Sequence, residues 1–252
     1  MQSQIESMKL IITLCLLFVC LFSFSQNRIS NHNSIGWYTV NIDPAITKKW
    51  SGHIEYQWRR DDIITKWQQS LLRLGITYKV NSQVSLQAGY GWIETFPYSE
   101  HFLSSVRKTF PEHRLYEQVV LRSDIGKVKL TNRLRLEQRF NGKFINLNDT
   151  KPQSFTYLNR IRFMPRIDVP LNKKNTLYTA LYDEILIGFG KNVGENVFDQ
   201  NRTAIMLGYN FHPSFKLEGG FFNQTLQLGR KVDGSNVFQY NTGLIVTGYV
   251  VL

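Results

Sequence analysis

Beyond residue 26 the chain has no cysteine, no helical hydrophobic period of any length and no run of apolar residues long enough for a spanning helix. Both cysteines, Cys15 and Cys20, fall within the first 25 residues. The remainder can therefore form no disulfide, no thiolate metal site and no cysteine nucleophile. Acidic residues are scarce, 19 Asp and Glu against 30 Lys and Arg, for a net charge of +11. The histidines His32, His53, His101, His113 and His212 are scattered without ligand spacing. Gly188-Phe189-Gly190 with Gly194 misses the spacing of a dinucleotide loop. No metal and no other cofactor is expected.

The first residues differ from all that follow. Met8-Lys9 leads into an apolar run from Leu10 to Phe22, then Ser23-Phe24-Ser25-Gln26. A cationic start, a short apolar stretch and small residues at the end describe a secretory signal peptide over residues 1–25, cleaved after Ser25. Cys15 follows Leu14 and Cys20 follows Val19, where a lipoprotein signal needs a small residue. Cleavage removes Glu6 and Lys9 together, so the mature charge stays at +11. A basic chain first suggests nucleic acid. Export makes nucleic acid an unexpected partner and points instead to the phosphate-rich lipopolysaccharide leaflet of a Gram-negative bacterium.

What recurs after residue 26 is alternation with period 2, in segments of about 9–13 residues, the length a membrane strand needs. From Trp50 to Arg59, Trp50, Ile54, Tyr56 and Trp58 face one way, and His53, Glu55, Gln57 and Arg59 the other. Val128–Phe140 sets Leu130, Leu134, Leu136 and Phe140 against Arg133, Arg135, Glu137 and Arg139. Ser70–Val80, Val84–Trp92, Phe155–Ile167 and Thr203–Phe211 alternate likewise; Ile35–Ile42, Leu115–Ser123, Leu177–Ile187, Phe215–Gln224 and Phe238–Leu252 do so less cleanly.

Short connections (Asp43–Lys49, Asn81–Gln83, Asp124–Lys127, Pro170–Asn175, His212–Ser214) alternate with longer ones (Arg60–Lys66, Glu94–His113, Asn141–Gln153, Gly188–Asp199, Gly229–Asn236). That alternation, with aromatics such as Trp50 and Tyr209 at turn ends and Trp58, Trp67 and Trp92 at loop ends, is the pattern of an outer-membrane barrel. The expectation is all-β: one antiparallel up-and-down transmembrane barrel over residues 26–252, of about 12 strands, with 10 the alternative. Asn27–Ser34 either adds a poor strand or threads the lumen. A soluble, lipocalin-like barrel is the competing fold. The last strand would carry the signal for the barrel-assembly machinery, in a weakened form because Leu252 stands where an aromatic residue is usual.

Near the C-terminal end stand Tyr182-Asp183-Glu184, Phe198-Asp199-Gln200-Asn201-Arg202, Leu207-Gly208-Tyr209 and Gly219-Gly220-Phe221-Phe222-Asn223-Gln224. With the early Trp strand and the leader, these resemble a family of exported bacterial proteins of unknown function, thought to be outer-membrane barrels. Gly219-Gly220-Phe221-Phe222 departs from the Gly-Tyr expected there. The resemblance implies no activity, substrate or catalytic residue. Read physically, a hairpin over Gly188–Asp199 sets Glu184 opposite Arg202, an ion pair near the outer mouth, with Asp199 and Asn201 ordering the loop.

The expected lumen is rich in arginine: Arg59, Arg73, Arg122, Arg133, Arg135, Arg139, Arg160, Arg162, Arg166 and Arg202. Its acids are Glu55, Glu137, Glu184 and Glu218. Such a wall suits a narrow path or binding site for small anionic solutes, or else a self-satisfied network that fills the barrel. Basic loop residues (Arg60, Lys66, Arg107, Lys108, Lys143, Lys151, Lys191, Arg230, Lys231) could touch lipopolysaccharide phosphates, in an envelope-integrity barrel without conductance. A lipid-modifying enzyme would need a Ser and His at the outer rim. Glu100, His101, Ser104 and Ser105 lie in one loop, but loops commonly hold such residues by chance; His53 faces the lumen beside Glu55 and Arg59 as a satisfied lumenal histidine rather than a general base, and no enzyme is expected.

Overall fold

A computed structural model describes residues 28–194 and 196–252. The expected signal peptide lies outside the described residues. The chain forms one closed barrel of eleven strands. These are β1 (Arg28–Asp43), β2 (Trp50–Asp61), β3 (Lys66–Lys79), β4 (Val84–Thr95), β5 (Phe110–Ile125), β6 (Val128–Lys143), β7 (Ser154–Pro170), β8 (Leu177–Phe189), β9 (Phe198–His212), β10 (Phe215–Val232) and β11 (Ser235–Val251). Each pairs antiparallel with the next. With an odd number of alternating strands, the last runs the same way as the first. β1 and β11 therefore close the sheet in parallel, from Arg28↔Asn236 to Asp43↔Val251. Neither twelve nor ten strands is what forms among the described residues. Residues 28–34, for which an extra strand or a lumenal thread was expected, instead extend β1.

Closure gives every strand a neighbour on each side, and only overhanging ends such as residues 28–34 of β1 are paired on one side alone. Two details differ from the sequence pattern. β10 runs on through a bulge at Gln227/Lys231 to Val232, and a two-residue turn at Asp233-Gly234, both at positive φ, joins it to β11. That is the tight hairpin geometry that follows strand twist, not a long loop. β5 begins at Phe110, five residues earlier than its apolar period suggests; Pro111 stands outside the usual strand composition but is accommodated opposite Glu94.

The apolar faces point outward. Ile54, Tyr56, Leu74, Ile76, Leu134, Leu136, Ile161, Phe163, Ile205, Leu207 and Phe221 are all exposed. The inward faces bury Glu55, Arg73, Arg114, Arg135, Glu137, Arg160, Arg162, Glu184 and Glu218. This inverts the arrangement of a soluble core. Aromatic residues cluster at both ends of the wall. At the short-turn end Trp50 packs on Tyr78 at 4.7 Å and Phe211 on Phe215 at 5.5 Å. At the loop end Trp58, Trp67 and Phe96 form a chain of contacts at 6.1 and 5.3 Å.

The lumen is not charged all round. Ile35, Trp37, Tyr178, Ala180, Ala204, Met206, Phe222 and Ile245 form a buried apolar cluster on the inward faces of β1 and β8 to β11. Gly208 is part of its packing: it lies opposite Tyr178, and a Cβ there would sit 2.2 Å from the Tyr178 ring. The glycine of the Leu207-Gly208-Tyr209 segment is therefore the space that lets a large ring lie flat against the wall.

Candidate functional site

Spacing of two residues puts Arg133, Arg135, Glu137 and Arg139 on one face of β6, and the register then sets Glu137 opposite Arg160 and Arg135 opposite Arg162. Directly opposed guanidiniums repel. Carboxylates beside them offset this. Glu137, fully buried, accepts from Arg160 at 2.6 and 2.9 Å and from Arg162 at 2.7 Å, with Arg114 at 3.4 Å. Glu184 accepts from Arg162 at 2.7 and 2.8 Å and from Arg133 at 2.7 Å. Glu112 holds Arg114 at 2.6 Å and Arg139 at 2.8 Å. Glu218 takes Arg166 at 2.5 Å and the Tyr178 hydroxyl at 2.6 Å. Arg73 pairs with Glu55. The expected lumenal arginines thus all lie on inward faces, Arg122 bonding Ser85 at 2.9 Å toward the turn end.

The motif residues lie elsewhere than expected. Glu184 and Arg202 are opposite in register, at 3.4 Å, but sit at mid-lumen rather than at the mouth, and Arg162 is the closer partner of Glu184. Asp199 and Asn201 belong to β9, not to the loop. Asp199 points inward to Arg160. Asn201 points outward and donates to Asp183 at 2.9 Å, where Thr203 also donates at 3.0 Å. The alternation of a strand sends neighbours to opposite faces, which a loop assignment obscures.

Two cavities occupy the lumen, of about 470 Å³ toward the loop end and about 730 Å³ toward the turn end. Trp37, Arg59 and Arg202 line both, and so lie between them. Trp37 is 4% exposed; its indole N–H donates to Gln68 on β3 at 2.7 Å, and its ring meets Phe222 on β10 at 4.4 Å. It therefore spans part of the lumen from β1. The guanidinium carbons of Arg59 and Arg202 lie 3.7 and 5.0 Å from the indole centre, within cation–π range. Sequence reasoning passed over Trp37, because only its position in the register reveals that it faces inward at mid-height.

The loop of residues 96–109 folds into the loop-end mouth. Tyr98, buried, donates to Gln239 on β11 at 2.9 Å, and Gln239 donates to the His101 carbonyl at 2.6 Å. Asn31 donates to Glu100 at 3.1 Å, and Arg230 to the Phe102 carbonyl at 3.0 Å. Burial pushes the Tyr98 hydroxyl up to about 12. Ser104 donates to the Val106 carbonyl. The Glu100 carboxylate and the His101 backbone carbonyl are thus tethers to β1 and β11, while the Ser104 hydroxyl is used within the loop. Two basic residues expected at the leaflet are also engaged: Arg60 is buried and donates to the Ile64 and Thr65 carbonyls, and Lys108 binds the Leu147 carbonyl at 2.8 Å. His53 lies between Asp43 at 2.7 Å and Glu55 at 3.5 Å.

The family model described as "Protein of unknown function (DUF2490)" matches residues 35–234, from the inward stretch of β1 to the last hairpin. The chain belongs to this family. The DUF2490 span includes both the Tyr182-Asp183-Glu184 and Phe198–Arg202 segments. No curated protein matches the chain. Among solved structures, a rhombohedral crystal form of the NanC porin is similar at 13% identity, covering 86% of this chain and 98% of that one, with a TM-score of 0.47.

Proposed function

We propose that this barrel spans the outer membrane and that its arginine-lined lumen holds or passes small anions. The apolar outer wall and the aromatic clusters at its two ends support the location, since only a lipid-facing surface rewards that inversion. One observation carries the lumenal reading. Among the described residues, the turn-end cavity is lined by nine Lys and Arg against three carboxylates, and the Nε of Arg73, the Nε of Arg133 and the Nη1 of Arg135 have no hydrogen-bond partner. Buried donors without acceptors are costly, and an anion supplies the missing acceptor. The barrel is read as non-enzymatic: in this loop the Glu100 carboxylate is engaged by Asn31 and the Ser104 hydroxyl by the Val106 carbonyl.

The test is conductance of the refolded mature chain in planar bilayers, with selectivity read from the reversal potential. Anion selectivity that falls in an Arg133→Gln/Arg135→Gln variant is the expected result. A second reading rests on the inward-folded loop and the Trp37 layer, which narrow the lumen at two heights: an envelope barrel without conductance, its remaining basic loops against lipopolysaccharide. Folded protein that stays silent, with antibiotic sensitivity on gene deletion, would favour that reading.

A further inference from the structure

Arg59 is a buried guanidinium, 4% exposed, with no carboxylate within ion-pair distance among the described residues. Its Nε and Nη2 donate to Gln57 and its Nη1 to Gln69 at 2.6 Å. The charges it feels are mostly of its own sign, Arg202 foremost, then Arg73 and Arg114, with Glu55 the opposing one. Arg202 is held in the same way. Its Nε and Nη2 donate to Gln200 at 3.0 and 2.6 Å, and its Nη1 reaches Glu184 only at 3.4 Å. In both cases a glutamine two residues earlier on the same inward face grips one side of the guanidinium with a neutral amide; of the two, Arg202 alone also has a carboxylate, Glu184, which it shares with Arg162 and Arg133.

A guanidinium has five N–H groups. Three are used at each arginine, so each keeps one N–H on either terminal nitrogen. Together they offer four donors beside the indole of Trp37, between the two cavities. A carboxylate has two oxygens with about four lone-pair positions and one negative charge. Four N–H groups would saturate one carboxylate; a phosphate would bring further oxygens and charge that find no donor in this set. We propose that Arg59, Arg202 and Trp37 form a site at the lumenal constriction that binds the carboxylate of a small organic acid. This rests on the reading of the lumen as an anion site and names its ligand class and its narrowest point.

The full mature chain, refolded in detergent with its indoles labelled with ¹⁵N, is titrated with acetate and separately with inorganic phosphate. The Trp37 indole signal is assigned from its loss in Trp37→Phe. A saturable shift of that signal with acetate, tighter than with phosphate, and an affinity at least tenfold weaker in Arg59→Gln and in Arg202→Gln, is the expected result. Arg59→Lys, which keeps the charge but not the paired donors, is a second variant should Arg59→Gln not fold, and should also weaken acetate. No saturable shift, tighter binding of phosphate, or unchanged affinity in the variants overturns the site. Bilayer recordings on the same preparation separate the two claims. Anion selectivity without saturable acetate binding removes the site and keeps the anion path; saturable binding in a non-conducting barrel keeps the site and removes the path.

Discussion

The guanidinium of Arg59 lies 3.7 Å from the centre of the Trp37 indole, and this contact stands where the two lumenal cavities meet. An aromatic ring held by a cation, by Gln68 and by Phe222 has little freedom to swing aside. Trp37→Ala should therefore merge the cavities and raise single-channel conductance several-fold, without loss of heat-modifiability. Unchanged conductance in a folded Trp37→Ala barrel would place the narrowest point elsewhere.

Glu137 is the hub of the charge network, with Arg114, Arg160 and Arg162 all bonded to it. Removing one partner of a buried pair costs about 3–5 kcal/mol, because the other charges are left uncompensated. Glu137→Gln should lower the urea midpoint of the folded barrel accordingly, and Arg160→Gln in the same background should recover part of the loss. Equal stability of Glu137→Gln and the parent would mean that water already carries these charges.

Gly208 and Gly219 offer a paired test of wall packing. A Cβ at Gly208 would meet the Tyr178 ring at 2.2 Å, whereas at Gly219 the nearest atom is 3.8 Å away. Gly208→Val should destabilise by about 1–3 kcal/mol through overpacking and should loosen the Tyr178 to Glu218 bond. Gly219→Val should stay within about 0.5 kcal/mol of the parent. Urea titration of both variants in detergent decides it.

Ile205 is exposed on the outer wall of β9 and its neighbour Met206 is buried inside. In lipid, Ile205→Arg should cost about 2–4 kcal/mol of folding free energy. In a water-exposed wall it would cost almost nothing. Folding into phospholipid vesicles against folding in detergent, followed by gel mobility without boiling, separates the outcomes.

The buried Tyr98 hydroxyl, raised to about 12, tethers the inward loop through Gln239. A phenol with a raised folded value favours the neutral form in the fold. Its contribution is therefore complete below about pH 10, where the free phenol titrates, and is lost as pH climbs toward 12. Loop mobility, read by limited proteolysis, should increase across that window in the parent. Tyr98→Phe, which lacks both the bond and the titration, should show the mobility already at neutral pH and no further change with alkali.

Alternation in Trp50–Arg59, Val128–Phe140 and Phe155–Ile167 gave each strand one apolar and one charged face, and the short turns alternating with longer loops then pointed to an up-and-down barrel. It also assigned the arginines of those strands to one face. It could not fix the ends of β5 and β10, where Pro111 and the bulge at Gln227 disguise the period. The loop assignment of Asp199 and Asn201 failed for the same reason, since without the register of β8 and β9 the strand's start could not be seen.

From sequence alone came the all-β class, the lumenal arginines of β2, β3, β6 and β7, and the opposition of Glu184 and Arg202, all consequences of local spacing. Only the tertiary structure decided that eleven strands close with β1 parallel to β11, that a loop folds back into the mouth, and that Arg59 and Arg202 meet at Trp37. The reason is distance along the chain. Trp37 and Arg59 are register partners in the β1–β2 hairpin, but Arg202 on β9 joins them only when the sheet closes, and no local period records which strands that closure brings together.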